Sequence, residues 1–214
     1  MIIEDIMKKN IVKTTEDTSI AEAIQLLKKH HIRHLLVSNE DNELVGIVSD
    51  RDLKAAMPSV FIKNATKEDM NQPISKIMTT VCITAHPLDF VEDVASLFYQ
   101  FEIGCLPILE QNKIVGIVTE TDLLHTLVEL TGAHQPSSQI EIEVEDITGK
   151  LAEVASFFKE HHIQIISVLV YPSKKENYRV LVFRIQTIDP VFIVTELKKR
   201  NYNVIWPQIP GVDL

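Results

Sequence analysis

The residues best suited to chemistry occur in two copies of one short phrase, Gly46-Ile47-Val48-Ser49-Asp50-Arg51-Asp52 and Gly116-Ile117-Val118-Thr119-Glu120-Thr121-Asp122. Each copy sets a hydroxyl three positions ahead of a carboxylate, Ser49 before Asp52 and Thr119 before Asp122. That spacing suits a helix N-terminus, where the hydroxyl accepts from a free backbone N–H and the carboxylate complements the helix dipole. The same groups suit a nucleotide. Free N–H groups and the hydroxyl face a phosphate, and the carboxylate accepts from both hydroxyls of a ribose. Capping alone is the competing explanation. Repetition at matched points of two repeats favours the ligand site.

Other chemistry finds less support. His30, His31 and His34 suggest a metal through helical spacing, but Ile32 is expected to open a strand, and no Cys or acidic partner stands at zinc-ligand spacing. Cys105 has no histidine fixed beside it by a motif and no third orienting group, which favours a small buried thiol over a nucleophile. Ser49 and Thr119 have no neighbouring base. Neither a catalytic residue nor a metal site is therefore expected, and the protein is expected not to be an enzyme. Donors for an anionic ligand are few: Lys13, Arg33, Arg51, Lys113 and the helix N-termini.

The elements that must position these groups repeat as well. Ile6-Met7 aligns with Ile77-Met78, Ile20 with Val91, Ile32 with Ile103 and Val37 with Ile108, all at an offset of 71. Beyond the turn from Asn39 to Glu43 the offset is 70, so that Gly46 meets Gly116 and Asp52 meets Asp122. Each repeat is expected to run strand (Ile11 to Thr14; Val81 to Thr84), helix, strand, turn, strand, helix. The helix from Ile20 to His30 puts Ile20, Ala23, Ile24 and Leu27 on one face, and Val91 to Gln100 does the same with Val91, Val94, Ala95 and Phe98. A unit this small buries too little surface alone, so the two are expected to pack about a pseudo-twofold axis with clefts between them. Ala55 to Pro73 joins them and is long enough to hold some helix.

Thr131 to Ser138 is a run of turn formers that marks a second linker. After it, Ile140, Ile142 and Val144 alternate with glutamates as a half-buried strand. Gly149 turns the chain into a helix, Leu151 to His161, carrying Leu151, Val154, Ala155 and Phe158 on one side. Two β-rich runs flank a hairpin at Pro172 to Asn177, and a helix after Pro190 and a strand from Asn203 to Trp206 complete the ferredoxin-like order β-α-β-β-α-β.

Composition sets outer limits. The 214 residues are 45% hydrophobic with a net charge of −9, which argues against a broad basic face for nucleic acid. No apolar run approaches the length of a membrane span, and MIIEDIMKKN lacks the features of a secretory leader. Two cysteines, Cys82 and Cys105, fit a reducing compartment, so a cytoplasmic protein is expected.

His31-Ile32-Arg33-His34-Leu35, Gly46 to Leu53, Ile103-Gly104-Cys105-Leu106-Pro107-Ile108 and Gly116 to Leu123 together resemble tandem CBS domains over about the first 130 residues. The resemblance implies adenosine binding, by AMP, ADP, ATP or S-adenosylmethionine as a regulatory ligand rather than a required cofactor. It places Ser49, Asp52, Thr119 and Asp122 at phosphate and ribose. Lys13, Thr14, Ile32, Arg33, His34, Ile83, Thr84, Gly104 and Cys105 lie on the segments that would frame the base, and Arg51 could meet a phosphate. Leu36 stands where the family usually has the proline kept as Pro107. Asp146-Ile147-Thr148-Gly149-Lys150-Leu151 resembles the first turn of ACT domains, which sense amino acids or other small metabolites, although the usual proline is here Thr148.

The implied fold is mixed α/β (α+β): CBS domain 1 at 1–57, a linker at 58–73, CBS domain 2 at 74–131, a linker at 132–138 and a ferredoxin-like ACT domain at 139–214. With His86 to Glu92, Thr131-Gly132-Ala133, Ser138 to Ile142, Ser167 to Pro172 and Val180 to Arg184, the whole chain is similar to an acetoin-utilisation family that joins these modules. That resemblance implies a regulatory role in acetoin and butanediol catabolism and a link to sporulation. A homodimer is the expected assembly, and a partner enzyme of acetoin breakdown held without any ligand is the alternative function.

Overall fold

The computed structural model describes residues 1–56 and 70–208. The helix expected between Ala55 and Pro73 falls largely outside the described residues, as does the boundary at 57/58. The described chain divides into two compact units, Met1–Leu124 and His125–Leu214.

In the first repeat β1 (Lys13–Thr14) leads to α1 (Ile20–His30), β2 (His34–Ser38), β3 (Leu44–Ser49) and α2 (Asp50–Ala56). Ser19 caps α1 by accepting from the Glu22 amide while the Glu22 carboxylate accepts from Ser19. Such a capping box satisfies two N–H groups that a helix start leaves open. His31 ends the helix in a left-handed conformation (φ 53°). Ile20, Ala23 and Leu27 are buried from this helix, as its apolar spacing predicts.

The second repeat runs α3 (Val91–Phe101), β4 (Cys105–Glu110), β5 (Lys113–Thr119) and α4 (Glu120–Thr131). Both hairpin entries start two residues later than expected, at His34 and Cys105 instead of Ile32 and Ile103, because each follows a left-handed residue, His31 or Glu102. His30 and His34 are still parted by a helix end. Among the described residues no group of His, Cys, Asp or Glu is arranged to hold a metal.

The strand expected from Val81 to Thr84 does not form. Only Ala85 bridges Ile108, at the point equivalent to Thr14 pairing Val37. Ala85 donates to the Pro107 carbonyl and accepts from Leu109. Extending the ladder one step back would need an N–H from Pro107, which proline lacks. Leu36 occupies that place in the first repeat, and β1 forms there against β2.

The segment ahead of each repeat packs into the other one. Ile3, fully buried in the turn Ile3–Asp5, joins the core of Val91, Val94, Phe98, Leu106 and Val118. Ile74, equally buried in the turn Ile74–Lys76, joins Ile20, Ala23, Leu27, Leu35 and Val48. Burying a side chain of this size contributes roughly 1.5–3 kcal/mol. Neither repeat completes its core with its own sequence, so the two form one unit. Backbone bridges continue the exchange, Lys8 with Ile117 and Ile47 with Thr79. Here the repeated glycine finds its reason. A Cβ on Gly116 would lie 2.5 Å from the Met7 sulfur, and one on Gly46 would lie 2.8 Å from the Met78 sulfur.

The second unit holds β6 (Ser138–Glu145), α5 (Lys150–Glu160), β7 (Ile165–Pro172), β8 (Tyr178–Ile185), α6 (Val191–Lys199) and β9 (Asn203–Trp206). Its sheet runs β7-β8-β6-β9 with every pair antiparallel, the ferredoxin-like arrangement. Ile140, Ile142 and Val144 face a core with Phe157, Phe158 and Phe183. On α5 the buried stripe is Val154, Phe157 and Phe158, and Leu151, expected inside, is exposed. Phe157 shifts the stripe around the helix and leaves Leu151 at its edge. No helix of the described residues is long and apolar enough to cross a membrane.

Two candidate ligand clefts

The hairpins set the clefts. Antiparallel register puts His34 opposite Ser49 and Cys105 opposite Thr119, at the ends where each strand gives way to a helix. The hydroxyl and carboxylate of each phrase hold one another. Asp52 Oδ2 accepts from the Ser49 hydroxyl at 2.6 Å and the Ser49 amide at 2.8 Å, and the Asp52 amide donates back to Ser49 Oγ at 3.2 Å. Asp122 Oδ2 accepts from the Thr119 hydroxyl at 2.6 Å and its amide at 2.9 Å. Ser49 and Asp52 form a capping box, Thr119 and Asp122 share its carboxylate half, and each pair commits one carboxylate oxygen.

A cavity of about 310 Å³ opens beside Ser49 and Asp52, and its far wall is Ile83, Gly104 and Cys105 from the second repeat. A smaller cavity of about 250 Å³ opens beside Thr119, walled by Ile11, Val12 and Ile32 from the first repeat. Each cleft thus joins a hydroxyl of one repeat to residues of the other; Asp52 lines the larger cleft, whereas Asp122 does not line the smaller one and is linked to it through its ion pair with Lys8. Arg51 lines only the larger cleft, whereas Arg33 and His34 line both. Lys13, Thr14 and Thr84 line neither. The Lys13 ammonium is bonded to Asn42 Oδ1, and the Thr14 hydroxyl to that of Thr18. Lys113 opens β5 at the end away from Thr119.

Two residues not singled out from the sequence set the clefts apart. Lys8 lines the smaller one, and its ammonium lies 2.6 Å from Asp122 Oδ1. At the equivalent point the larger cleft has Thr79, and among the described residues no ion pair involves Asp52. Burial opposes the Asp122 charge, but hydrogen bonds from Lys8 and from the Thr119 hydroxyl and amide hold its carboxyl below the ordinary value. The signal was available, since the register that aligns Met7 with Met78 also aligns Lys8 with Thr79. Glu102 and Glu120 also line the larger cleft.

His34 stands on the wall between the clefts, close enough to Gly104 that a Cβ there would meet its Nε2 at 3.0 Å. Burial first, then the Arg33 charge, lower its pKa, against the opposing pull of Asp50, Asp52 and Glu120. Burial, with Cys82 nearby, pushes the Cys105 thiol up to about 12, so it carries no thiolate at neutral pH.

Exchanged repeats with a cleft at each hydroxyl–carboxylate junction define a paired-repeat module. The CBS domain family matches residues 3–59 and 74–129, and the chain belongs to it. A CBS domain-containing protein of Dictyostelium discoideum is 28% identical over 143 residues, 64% of this chain and 99% of its own length. Two relatives that carry enzyme names are far longer, and the chain spans 25% and 22% of them. Among solved structures, the CBS domain pair of protein MJ0100 in complex with 5′-methylthioadenosine and S-adenosyl-L-methionine is 29% identical with a TM-score of 0.53, matching 63% of this chain and 98% of that one. A Vibrio cholerae protein provisionally assigned to acetoin utilization (AcuB) is 27% identical with a TM-score of 0.54, matching 64% and 98%.

Proposed function

We propose that the CBS pair binds an adenosine-containing ligand in its clefts and acts as a regulatory module rather than an enzyme. One observation carries this: each cleft sets a repeated hydroxyl, Ser49 or Thr119, itself bonded to the carboxylate three residues on, against residues of the other repeat. The likeness to a CBS pair solved with two adenosine compounds supports it. Ser49 and Thr119 face the phosphate side and Asp52 and Asp122 the ribose, and the segments at Ile83 and Gly104, or at Ile32 and Arg33, frame the base. Asp52 offers its second oxygen to the ribose hydroxyls, and Asp122 does so once Lys8 leaves Oδ1.

In the same proposal residues 1–57 and 74–131 are the two CBS domains and 139–214 an ACT domain, the last supported by the ferredoxin-like sheet and by Gly149 (φ 95°) turning into the first helix. The likeness to the Vibrio cholerae protein supports a role in acetoin utilization, and the family resemblance of the sequence motivates the further proposal of a link to sporulation and a cytoplasmic homodimer. The ligand acts by binding one arrangement of the modules better than another, a coupling of ~1–3 kcal/mol.

A thermal-shift titration of the full chain with AMP, ADP, ATP, S-adenosylmethionine and a panel of amino acids tests this. Stabilisation by an adenosine compound, about 2.7 kcal/mol at a hundredfold excess over Kd, should fall in Asp52→Ala and Asp122→Ala. Stabilisation unchanged in both variants contradicts the site. The hydroxyl–carboxylate pairs, bonded to one another without ligand, favour one other function, a scaffold for a partner enzyme. Silence across the panel, with a partner retained on purification, is its signature.

A further inference from the structure

The two clefts differ in charge. The smaller is lined by Lys8 and Arg33 and has one carboxylate beside it, Asp122, paired to Lys8 and outside the lining, whereas Asp50, Asp52, Glu102 and Glu120 line the larger with Arg33 and Arg51. Asp50 is neutralised by Lys54 at 2.8 Å, which still leaves the larger cleft with more acid than base.

Lys8 turns this contrast into selection. Thr119 already holds Asp122 Oδ2, so a ribose in the smaller cleft needs Oδ1, the atom on which the Lys8 ammonium sits. The Lys8 side chain is 59% exposed and can swing away, while the Asp122 carboxylate, only 13% exposed, must gain the ribose hydroxyls in its place. A displaced ammonium then needs another acceptor, and a 5′-phosphate on the same ligand provides one. An uncharged 5′-thioether provides none, and a sulfonium adds a cation beside Lys8 and Arg33. In the larger cleft Thr79 imposes no such condition.

We infer that the clefts sort adenosine ligands by the charge at the 5′ position: the Thr119 cleft takes a 5′-phosphate, with Lys8 passing from Asp122 to the phosphate, and the Ser49 cleft takes uncharged or cationic 5′-thio compounds. Sorting of this kind presupposes the adenosine binding proposed above. AMP and 5′-methylthioadenosine share a nucleoside and differ at the 5′ group, so calorimetry of the full chain with each isolates the effect.

In Asp52→Ala, where the Thr119 cleft stays intact, AMP should bind at least about tenfold more tightly than methylthioadenosine. Adding Lys8→Thr should bring the two affinities together, and Lys8→Gln should do the same while keeping the apolar stem. The reciprocal Thr79→Lys, in an Asp122→Ala chain, should create a preference for AMP in the other cleft. Equal affinities in Asp52→Ala, or a preference that survives both Lys8 changes, would overturn the sorting and leave adenosine binding standing. If neither compound binds the unmodified chain, both ideas fall together.

Discussion

The Ser49 and Thr119 clefts share a phrase, a capping geometry and an exchanged partner segment, and they differ at single positions such as Thr79 against Lys8. The shared parts are those that hold the backbone in place. What differs are side chains that point into the cavity and bear little of the fold. Duplication fixes the frame, and divergence at a few lining residues sets the charge each cleft presents.

The largest effect should come from breaking the frame. Ile3→Ala and Ile74→Ala should each cost about 2–5 kcal/mol in chemical denaturation, since both side chains are fully buried. Hydrogen exchange should show Ile74→Ala loosening α1 and Ile3→Ala loosening α3. Loosening of the repeat that follows each residue in sequence would instead refute the exchange.

The glycines offer a finer comparison. Gly46→Ala sets a methyl 2.9 Å from the Thr79 carbonyl oxygen as well as against Met78, whereas the close atoms at Gly116 all belong to the Met7 side chain. Overpacking costs typically 1–3 kcal/mol, and Gly46→Ala should lie toward the upper part of that range and Gly116→Ala below it, because a methionine moves more easily than a backbone. Equal losses in thermal melts would mean that the two approaches are equally rigid.

The smallest effect concerns pH. The folded state lowers the His34 pKa, so below the ordinary value of 6.5 the unfolded chain takes up a proton that the folded chain resists. Stability should therefore fall as pH drops through that value, by no more than about 1.4 kcal/mol per pH unit, and His34→Gln should flatten the slope. Asp122 acts lower down. Its depressed pKa contributes stability above the ordinary carboxylate value that is lost as pH falls through the folded one, and Lys8→Thr should reduce that loss. Melting curves between pH 8 and 5 that stay parallel for His34→Gln and the unmodified chain would contradict the first part.

Much of this was legible in the sequence because it is periodic. The helix faces at Ile20 and Val91, the hairpins and the ferredoxin-like order all follow from apolar spacing and turn residues. The pairing of Ser49 with Asp52 was legible because capping is local in sequence. The exchange of Ile3 and Ile74 was not, since a repeat shows which segments are alike and not which copy each packs against. Lys13 and Thr14 were assigned to the site from resemblance, but they follow the cleft-lining Val12 and turn to partners of their own. Pro107 differs visibly from Leu36, yet its effect, the missing strand at Val81 to Thr84, depends on which N–H the ladder needs.

The most direct measurement is a crystal structure of the full chain grown with AMP. The ribose should sit on Asp122 and the phosphate within hydrogen-bonding distance of Lys8, with that ammonium withdrawn from the carboxylate. AMP seated instead beside Asp52, with the Lys8–Asp122 pair intact, would contradict that assignment.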